Sequence, residues 1–575
     1  MDVSQHQSAA AATGDRLSTL QDSVLSRILS FLPAKEAAHA ALLSPRWRDV
    51  FAGVDTVVLE EPESPIREPT DDGGSPGWGP QPDPNQPPPF SSLVSAALLG
   101  RNRRVGAAPL RKLRVAVGGY SRSDSCTMDQ WVNFAVQQAS ADGLHLDLRL
   151  RCHRRLCPRP CSLRSAGQGD RDDGKPILVS TAVSVPDGEE AVCEVKSPPC
   201  REASADADTD DDSSVLSDDD SGNKTSSFND RPWWEVPEYI YTITRTIFSC
   251  AELRSLSLSF CQLAPPTNVS MPSLQALLLS HVSDPGSDIE RLICGSPRLT
   301  DLTLEASDAV TALSVLCGVR LRRLALRCCH NLATVAVDSS ELHAFDYRGA
   351  VPNNTFLTLH GGCLKVVYCR VDICGEEVYS EDDLTKLRQL LQPFANARYL
   401  HLESARLGMG LNTDVPVRFP SFSSLHHLEL RGRLPDNDTT IVAAISRMLE
   451  HSLNLEALTM VFHPEKDDDR WSRNYPRFRQ GDLLDEHYLD YNPHSTLNVP
   501  CGAIPCLRSH VREINLVHYQ GGRAQRTLSK FLLSNALVMD ELYCELAEGP
   551  LWTQTQLTQE IKGWVVNKSA KTHIS

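Results

Sequence analysis

The sequence contains no apolar run near the roughly 18 residues that a membrane-spanning helix requires. It also lacks a surplus of base: 57 Lys and Arg stand against 73 Asp and Glu, a formal net charge of −16. That balance argues against a chain that tracks a nucleic-acid backbone, which calls for a continuous basic stripe. Catalytic signatures are missing too. There is no phosphate-cradling G-x4-G-K-[ST], no H-E-x-x-H, no G-x-S-x-G elbow and no dinucleotide fingerprint. Without such a constellation the expectation is an interaction protein rather than an enzyme, with no cofactor and no metal. Regular cysteine pairing is absent as well. The 18 cysteines are scattered, with Cys328 and Cys329 adjacent, and the alanine-rich residues 8–13 are too short and uncharged for a secretory signal. The cysteines therefore read as reduced, buried small apolar groups in a soluble chain of the nucleus or cytoplasm.

Two stretches have little to bury. Residues 61–89 hold 10 of the 37 prolines together with Gly73, Gly74, Gly77 and Gly79, the composition of a linker of mixed stiffness. The run Pro87-Pro88-Pro89 also suits a groove that takes an extended left-handed helix. Residues 167–230 carry 17 acids and 5 bases, so −12 of the net −16 falls there, and disorder is expected. Ser217 before Asp218, Asp219 and Asp220 has the form of an acidophilic kinase site, although solvated acidic runs hold such serines by chance. Just upstream, Cys152, His153, Cys157 and Cys161 are zinc-type ligands among five arginines. Their C-H-x3-C-x3-C spacing is not a paired knuckle, and the plainer reading is the ragged end of a strand.

Between residues 15 and 58 the signals become helical. Leu20, Val24, Leu25, Ile28, Leu29 and Leu32 recur at helical intervals, with Asp22 or Ser23 as cap and Pro33 as terminator. Residues 34–43 are nearly all good helix formers, and Ser44-Pro45 restarts a helix that carries Arg46, Trp47 and Arg48. Three short helices in about 45 residues cannot bury all these apolar groups alone, so one face is expected to meet another protein.

The strings LSTLQDSVLSRILSFLPAKEAA from Leu17 and LSPRWR from Leu43 resemble the F-box of plant F-box proteins. Two positions depart from the family, which usually has proline at Gln21 and a basic residue at Pro45. The resemblance implies docking on the Skp-type adaptor of a cullin–RING (SCF) ubiquitin ligase through Leu17, Leu20, Leu25, Ile28, Leu29, Leu32, Pro33 and Trp47.

The remainder is periodic. L-x-x-L-x-L begins at Leu253, Leu274, Leu299 and Leu321, at intervals of 21, 25 and 22 residues. Weaker copies begin at Leu342, Leu364, Ala397, Leu425 and Leu455, while strand-like residues 113–117 and 144–150, with a helix over 129–139 between them, open the array. This is a leucine-rich-repeat signature, in which alternate strand residues enter a stacked core. Cys261 and Cys329 sit three residues after the last strand leucine, where such repeats use asparagine or cysteine to satisfy the turn. VREINLVHYQGG from Val511 and LSKFLLSNALVMDEL from Leu528 resemble the FBD-type ending of plant F-box proteins, and the segment LRRLALRCCHNLATVAVDSSELHAFDYRGAVP is similar to grass members.

The expected fold class is α/β: a three-helix F-box, then a solenoid of short parallel strands with helices and loops, interrupted by disordered insertions. Its parts are 1–14 disordered, 15–58 F-box, 59–90 linker, 91–160 start of the array, 161–231 acidic insertion, 232–500 repeats, 505–546 FBD-like module and 547–575 tail. The resemblance implies a substrate receptor whose partners are the Skp-type adaptor, the cullin scaffold and a target protein, with neither nucleic acid nor membrane. A non-proteolytic scaffold or decoy and a small-molecule-sensing receptor remain alternatives. The target is expected on the concave strand face, at Asp301, Glu305, Arg323, Arg327, Asp346, Arg348, Tyr368, Arg370, Tyr399, His401, Glu403, His427, Glu429 and Arg431, because residues between the inward leucines point outward. Deleting residues 167–230 is expected to leave the melting temperature unchanged, since so acidic a segment buries little.

Overall fold

Leucines at alternate strand positions can leave water only if another strand carries the same pattern beside them, and this chain repeats that solution in order. The computed structural model describes residues 19–32, 36, 44–61, 89–102, 108–151, 239–361, 365–374, 381–407, 420–434, 441–463 and 504–575. The chain divides into two compact units, 1–167 with 233–575 and 168–232, and every described residue lies in the first. The expectations for the proline-rich stretch, the Cys152–Cys161 ligand set and the acidic insertion fall outside the described residues.

Among the described residues two helices come first, α1 (Asp22–Leu29) and α2 (Pro45–Ala52), and the helix expected over 34–43 falls, but for Glu36, outside the described residues. Fifteen strands then form one sheet, every neighbouring pair parallel and in chain order. The first five are β1 (Thr56–Glu60), β2 (Lys112–Val117), β3 (Leu144–Leu150), β4 (Leu253–Ser259) and β5 (Ala276–Ser280). Next come β6 (Asp301–Glu305), β7 (Arg323–Arg327), β8 (Ala344–Gly349), β9 (Tyr368–Ile373) and β10 (Tyr399–Arg406). The last are β11 (His427–Arg433), β12 (Ala457–His463), β13 (Glu513–Tyr519), β14 (Glu541–Leu546) and β15 (Lys571–Ile574). Between them lie α3 (Phe90–Asn102), α4 (Ser125–Gln137), α5 (Gly286–Cys294), α6 (Glu381–Leu391) and α7 (Ile441–Glu450). Three more helices, α8 (Pro505–Ser509), α9 (Arg523–Asn535) and α10 (Leu551–Trp564), accompany the last strands.

One inward position runs in register through eleven strands: Leu256, Leu277, Leu302, Leu324, Phe345, Cys369, Leu400, Leu428, Leu458, Ile514 and Leu542. None is more than 1% exposed. At about 25 cal/mol per Å², this stacked ladder is the main stabilising term of the fold.

The turn after each strand from β3 to β7 is also repeated. Arg151, Phe260, His281, Ala306 and Cys328, each the first residue past its strand, have left-handed φ of 55°, 50°, 52°, 43° and 55°. None is glycine, so each backbone carries a modest strain that the array must offset. The offset is visible: the N–H groups of Phe260, His281, Ala306 and Cys328 donate to Ser280, Glu305, Arg327 and Arg348 carbonyls of the next repeat. Cys329 fills the role the sequence predicts. Its Sγ lies 3.6 Å from the Leu304 carbonyl and 3.5 Å from that of Arg327, and burial pushes the thiol up to about 12, keeping its proton for donation.

Several expectations need correction. The array begins at Thr56, not at residue 91: the β-branched, apolar run Thr56-Val57-Val58-Leu59 pairs with Lys112–Val115. Helix α4 starts at Ser125 rather than 129, because Ser121 and Asp124 form a capping box that launches a 3-10 turn into it. Asp22 is the first residue of α1 rather than its cap; Gln21 precedes it with φ −67°, the angle that proline would fix. The ninth-strand repeat is shifted by two residues, burying Val366, Cys369 and Val371 while Val367 stays exposed. Leu364 lies outside the described residues.

Residues 547–575 are not a tail. Helix α10 buries Thr553, Leu557 and Ile561, and β15 pairs with β14. The buried Arg526 of α9 has Nε 3.2 Å from Glu560 Oε2 of α10, an ion pair that docks the segment. Glu560→Ala should destabilise the protein by about 2 kcal/mol in a urea titration, since it removes the carboxylate facing a buried guanidinium. Truncation after Leu546 should cost more.

Candidate protein-interaction surfaces

The N-terminal helices make a core of their own, distinct from the repeat core. It consists of Leu25, Leu29, Val50 and Val54, with Leu20 and Trp47 packed on it. Arg46 pairs with Asp22 at 2.8 Å and reaches the Leu20 carbonyl, tying the start of α1 to α2. Ser44 Oγ accepts from the Trp47 N–H at 3.4 Å and so caps α2. The rest of α1 and its following turn stays uncovered: Val24, Ile28, Phe31 and Leu32 are exposed, Phe31 by 76%. The spacing explains the division. Residues 25 and 29 lie on one stripe, whereas 24, 28 and 31 lie on the next, turned away from α2. Of the predicted adaptor residues, Leu20, Leu25, Leu29 and Trp47 are thus core, Ile28 and Leu32 are surface, and Leu17 and Pro33 lie outside the described residues. Val24 and Phe31 are exposed beside them and were not among the predicted residues, although Val24 already belonged to the helical pattern.

On the repeats, the predicted target residues fall on three parallel rows. One crosses Asp301, Arg323, Ala344, Tyr368, Tyr399 and His427; the second crosses Thr303, Ala325, Asp346, Arg370, His401 and Glu429. The third crosses Glu305, Arg327, Arg348, Asp372, Glu403 and Arg431. All the predicted residues are therefore brought onto one face.

The F-box family model matches residues 17–56, and the model described as "FBD-associated F-box protein At5g56370, LRR repeats" matches residues 222–355. The chain carries an F-box and FBD-associated leucine-rich repeats. Similar curated proteins are F-box/LRR-repeat proteins of Arabidopsis thaliana. At4g14103 is 30% identical over 135 residues, 23% of this chain and 30% of its own length. At3g59200 is 49% identical over 47 residues, 8% of this chain and 9% of its own. The chain thus matches less than a third of the length of these relatives.

The repeat face is electrostatically self-engaged. Arg327 bridges Glu305 at 3.0 Å and Asp346 at 2.6 Å. Arg323 faces Asp301 at 3.5 Å, Arg348 faces Asp372 at 3.3 Å, and Arg370 faces Glu403 at 3.0 Å. His401 lies between Glu403 and Glu429, at 3.8 and 3.4 Å, and Arg431 meets Glu429 at 2.5 Å. The aromatic groups differ: Tyr399 stacks on His427 with centroids 4.5 Å apart, and Tyr368 and Tyr399 present exposed faces beside each other. Asp372, the buried counter-ion of Arg348, was not foreseen. Its outward register position was readable once the frame of that repeat was known.

Burial alone would raise the Glu403 carboxyl, but hydrogen bonds and charge from His401, Arg370 and Arg431 outweigh it and hold the group down at about 2, against 4.5 unperturbed. A depressed carboxyl stabilises the fold above its unfolded value and loses that contribution as pH falls through the folded one. Glu403→Gln should therefore cost about 2 kcal/mol at neutral pH, a difference that shrinks between pH 4.5 and 2 and closes below it when chemical denaturation is followed against pH.

Proposed function

We propose that this F-box protein is the substrate-recognition subunit of an SCF-type ubiquitin ligase, with the F-box on a Skp-type adaptor and the repeats on a target protein. The observation that carries this reading is the uncovered stripe of Val24, Ile28, Phe31 and Leu32, which lies outside the helices' own core. Each such side chain buried on docking contributes about 1.5–3 kcal/mol before association costs, enough for a specific interface when four act together.

The chain performs no bond chemistry in this scheme. The thioester enzyme recruited by the cullin transfers ubiquitin, and the repeats raise the effective concentration of a target lysine beside it. Because the charged residues of the strand face are occupied with one another, the groups best placed to anchor a target are Tyr368 and Tyr399. A folded or peptide partner suits that mixture of aromatic surface and neutralised charge. The working compartment is the nucleus or cytoplasm.

The test uses residues that contact rather than support. Leu20 and Leu29 pack inside the F-box, so alanine there would mix unfolding with lost contact. Ile28→Asp with Phe31→Asp should reduce capture of a Skp-type adaptor more than tenfold, about 1.4 kcal/mol, with no fall in melting temperature. Undiminished capture by that double variant would remove the assignment.

A further inference from the structure

Three side chains of metal-ligating type converge at one point beside the strand ends. The Sγ atoms of Cys328 and Cys374 and a ring nitrogen of His330 all lie within 4.8 Å of one another. Both cysteines are buried, and His330 is partly so. We propose that these residues form a binding site for a thiophilic divalent cation of the zinc class, with two thiolates, one imidazole and a water in the fourth position. This inference rests on the fold alone and stands or falls independently of the ligase assignment.

The convergence has a structural origin. Cys328 is the first residue past β7 and Cys374 the first past β9, and both fold over the end of the strand between them. The Cys328 N–H donates to the Arg348 carbonyl at 2.5 Å and the Cys374 N–H to the Gly349 carbonyl at 2.9 Å, so β8 fixes both backbones from either side. The left-handed φ of 55° at Cys328 separates its side chain from that of Cys329, which goes to the Leu304 and Arg327 carbonyls instead. His330, two residues on, comes back toward the same point. Backbone geometry thus preassembles the three donors before any ion arrives.

The donor set selects the metal. Thiolate and imidazole are ligands for zinc-like ions, whereas magnesium and calcium demand oxygen. With zinc–sulfur bonds near 2.3 Å, tetrahedral ligand atoms stand about 3.8 Å apart, so the observed cluster needs to contract by no more than about 1 Å. On binding, each thiol releases a proton to solvent, and the two thiolates balance the charge of the dication. The buried site is therefore neutral overall, which avoids the cost of an isolated buried ion. The bound ion ties the turns after β7 and β9 together across β8.

The experiment uses the full chain, purified reduced and metal-free, and titrates it with cobalt(II) followed by zinc. The expected result is one strongly bound cobalt showing a thiolate-to-metal charge-transfer band and tetrahedral visible bands, displaced by zinc. Cys328→Ser and Cys374→Ser should each weaken binding more than about tenfold and abolish the rise in melting temperature that zinc gives the wild type. Cys329→Ser should retain the bands, as should the double change Cys157→Ser with Cys161→Ser, which removes the other cysteine–histidine set in the sequence. If either serine variant fails to fold, His330→Ala, at a partly exposed position, decides the matter by the same loss of affinity. Absence of the bands in the wild type, their survival in all three cluster variants, or their loss only with the Cys157 and Cys161 changes would overturn the proposal.

Discussion

The structure depends on one constraint: every strand must present the same register to the next. A parallel strand has no tight hairpin to fix its neighbour, and it leaves half of its backbone groups open until another strand arrives. Here the inward ladder from Leu256 to Leu542 fixes that register, because a slip of one residue would turn buried leucines outward and polar residues inward. The left-handed turns at Phe260, His281, Ala306 and Cys328 follow from the same demand, since their N–H groups meet the carbonyls of the succeeding repeat. The strain at each turn is offset by a hydrogen bond that only the next repeat can supply.

Register also governs the opposite face. In parallel strands about 4.8 Å apart, like positions become neighbours, so identical charges on consecutive repeats would repel. The chain answers with opposite charges within reach: Asp301 beside Arg323 and Glu305 beside Arg327, and where Arg327 meets Arg348 and Asp372 meets Glu403 in the third row, Asp346 and Arg370 of the second row supply the counter-charge. A row of charges that looks available in the sequence is consequently half spent in the fold. Aromatic groups escape this neutralisation, which is why Tyr368 and Tyr399 stand out as exposed aromatic surface on the assembled face.

The repeat fold was legible because period and spacing are properties of the chain. The strands at Leu253, Leu274, Leu299 and Leu321 need nothing but their leucines to be found, and the F-box helices announce themselves by their apolar stripe. Features that depend on adjacency across the sheet were hidden. Thr56–Glu60 becomes a strand through β2, fifty residues on, rather than through any local signal strong enough to end the F-box there. Likewise Lys571–Ile574 is a strand because β14 is open beside it. Division of the F-box residues into core and surface was hidden for a related reason: Leu25 and Ile28 share a helix and a chemical type, and only the position of α2 separates them.

Separation of the two cores bears on how the parts can serve one task. The F-box core of Leu25, Leu29, Val50 and Val54 shares no residue with the repeat core, so apolar surface on α1 can be given to a partner without loosening the array. Yet the two are firmly coupled. Arg101, buried in α3, donates to the Val54 carbonyl at the F-box boundary and to the Ala108 carbonyl before β2, and β1 carries the chain straight from F-box into sheet. Burial disfavours the charged guanidinium, and Asp55 nearby acts against that tendency, so the link is retained at a cost in desolvation. A joint of this kind restricts rotation between the helices and the first strands. In the proposed role of holding one partner close to another, rigidity at that joint would narrow the volume a target can sample and so raise its effective concentration.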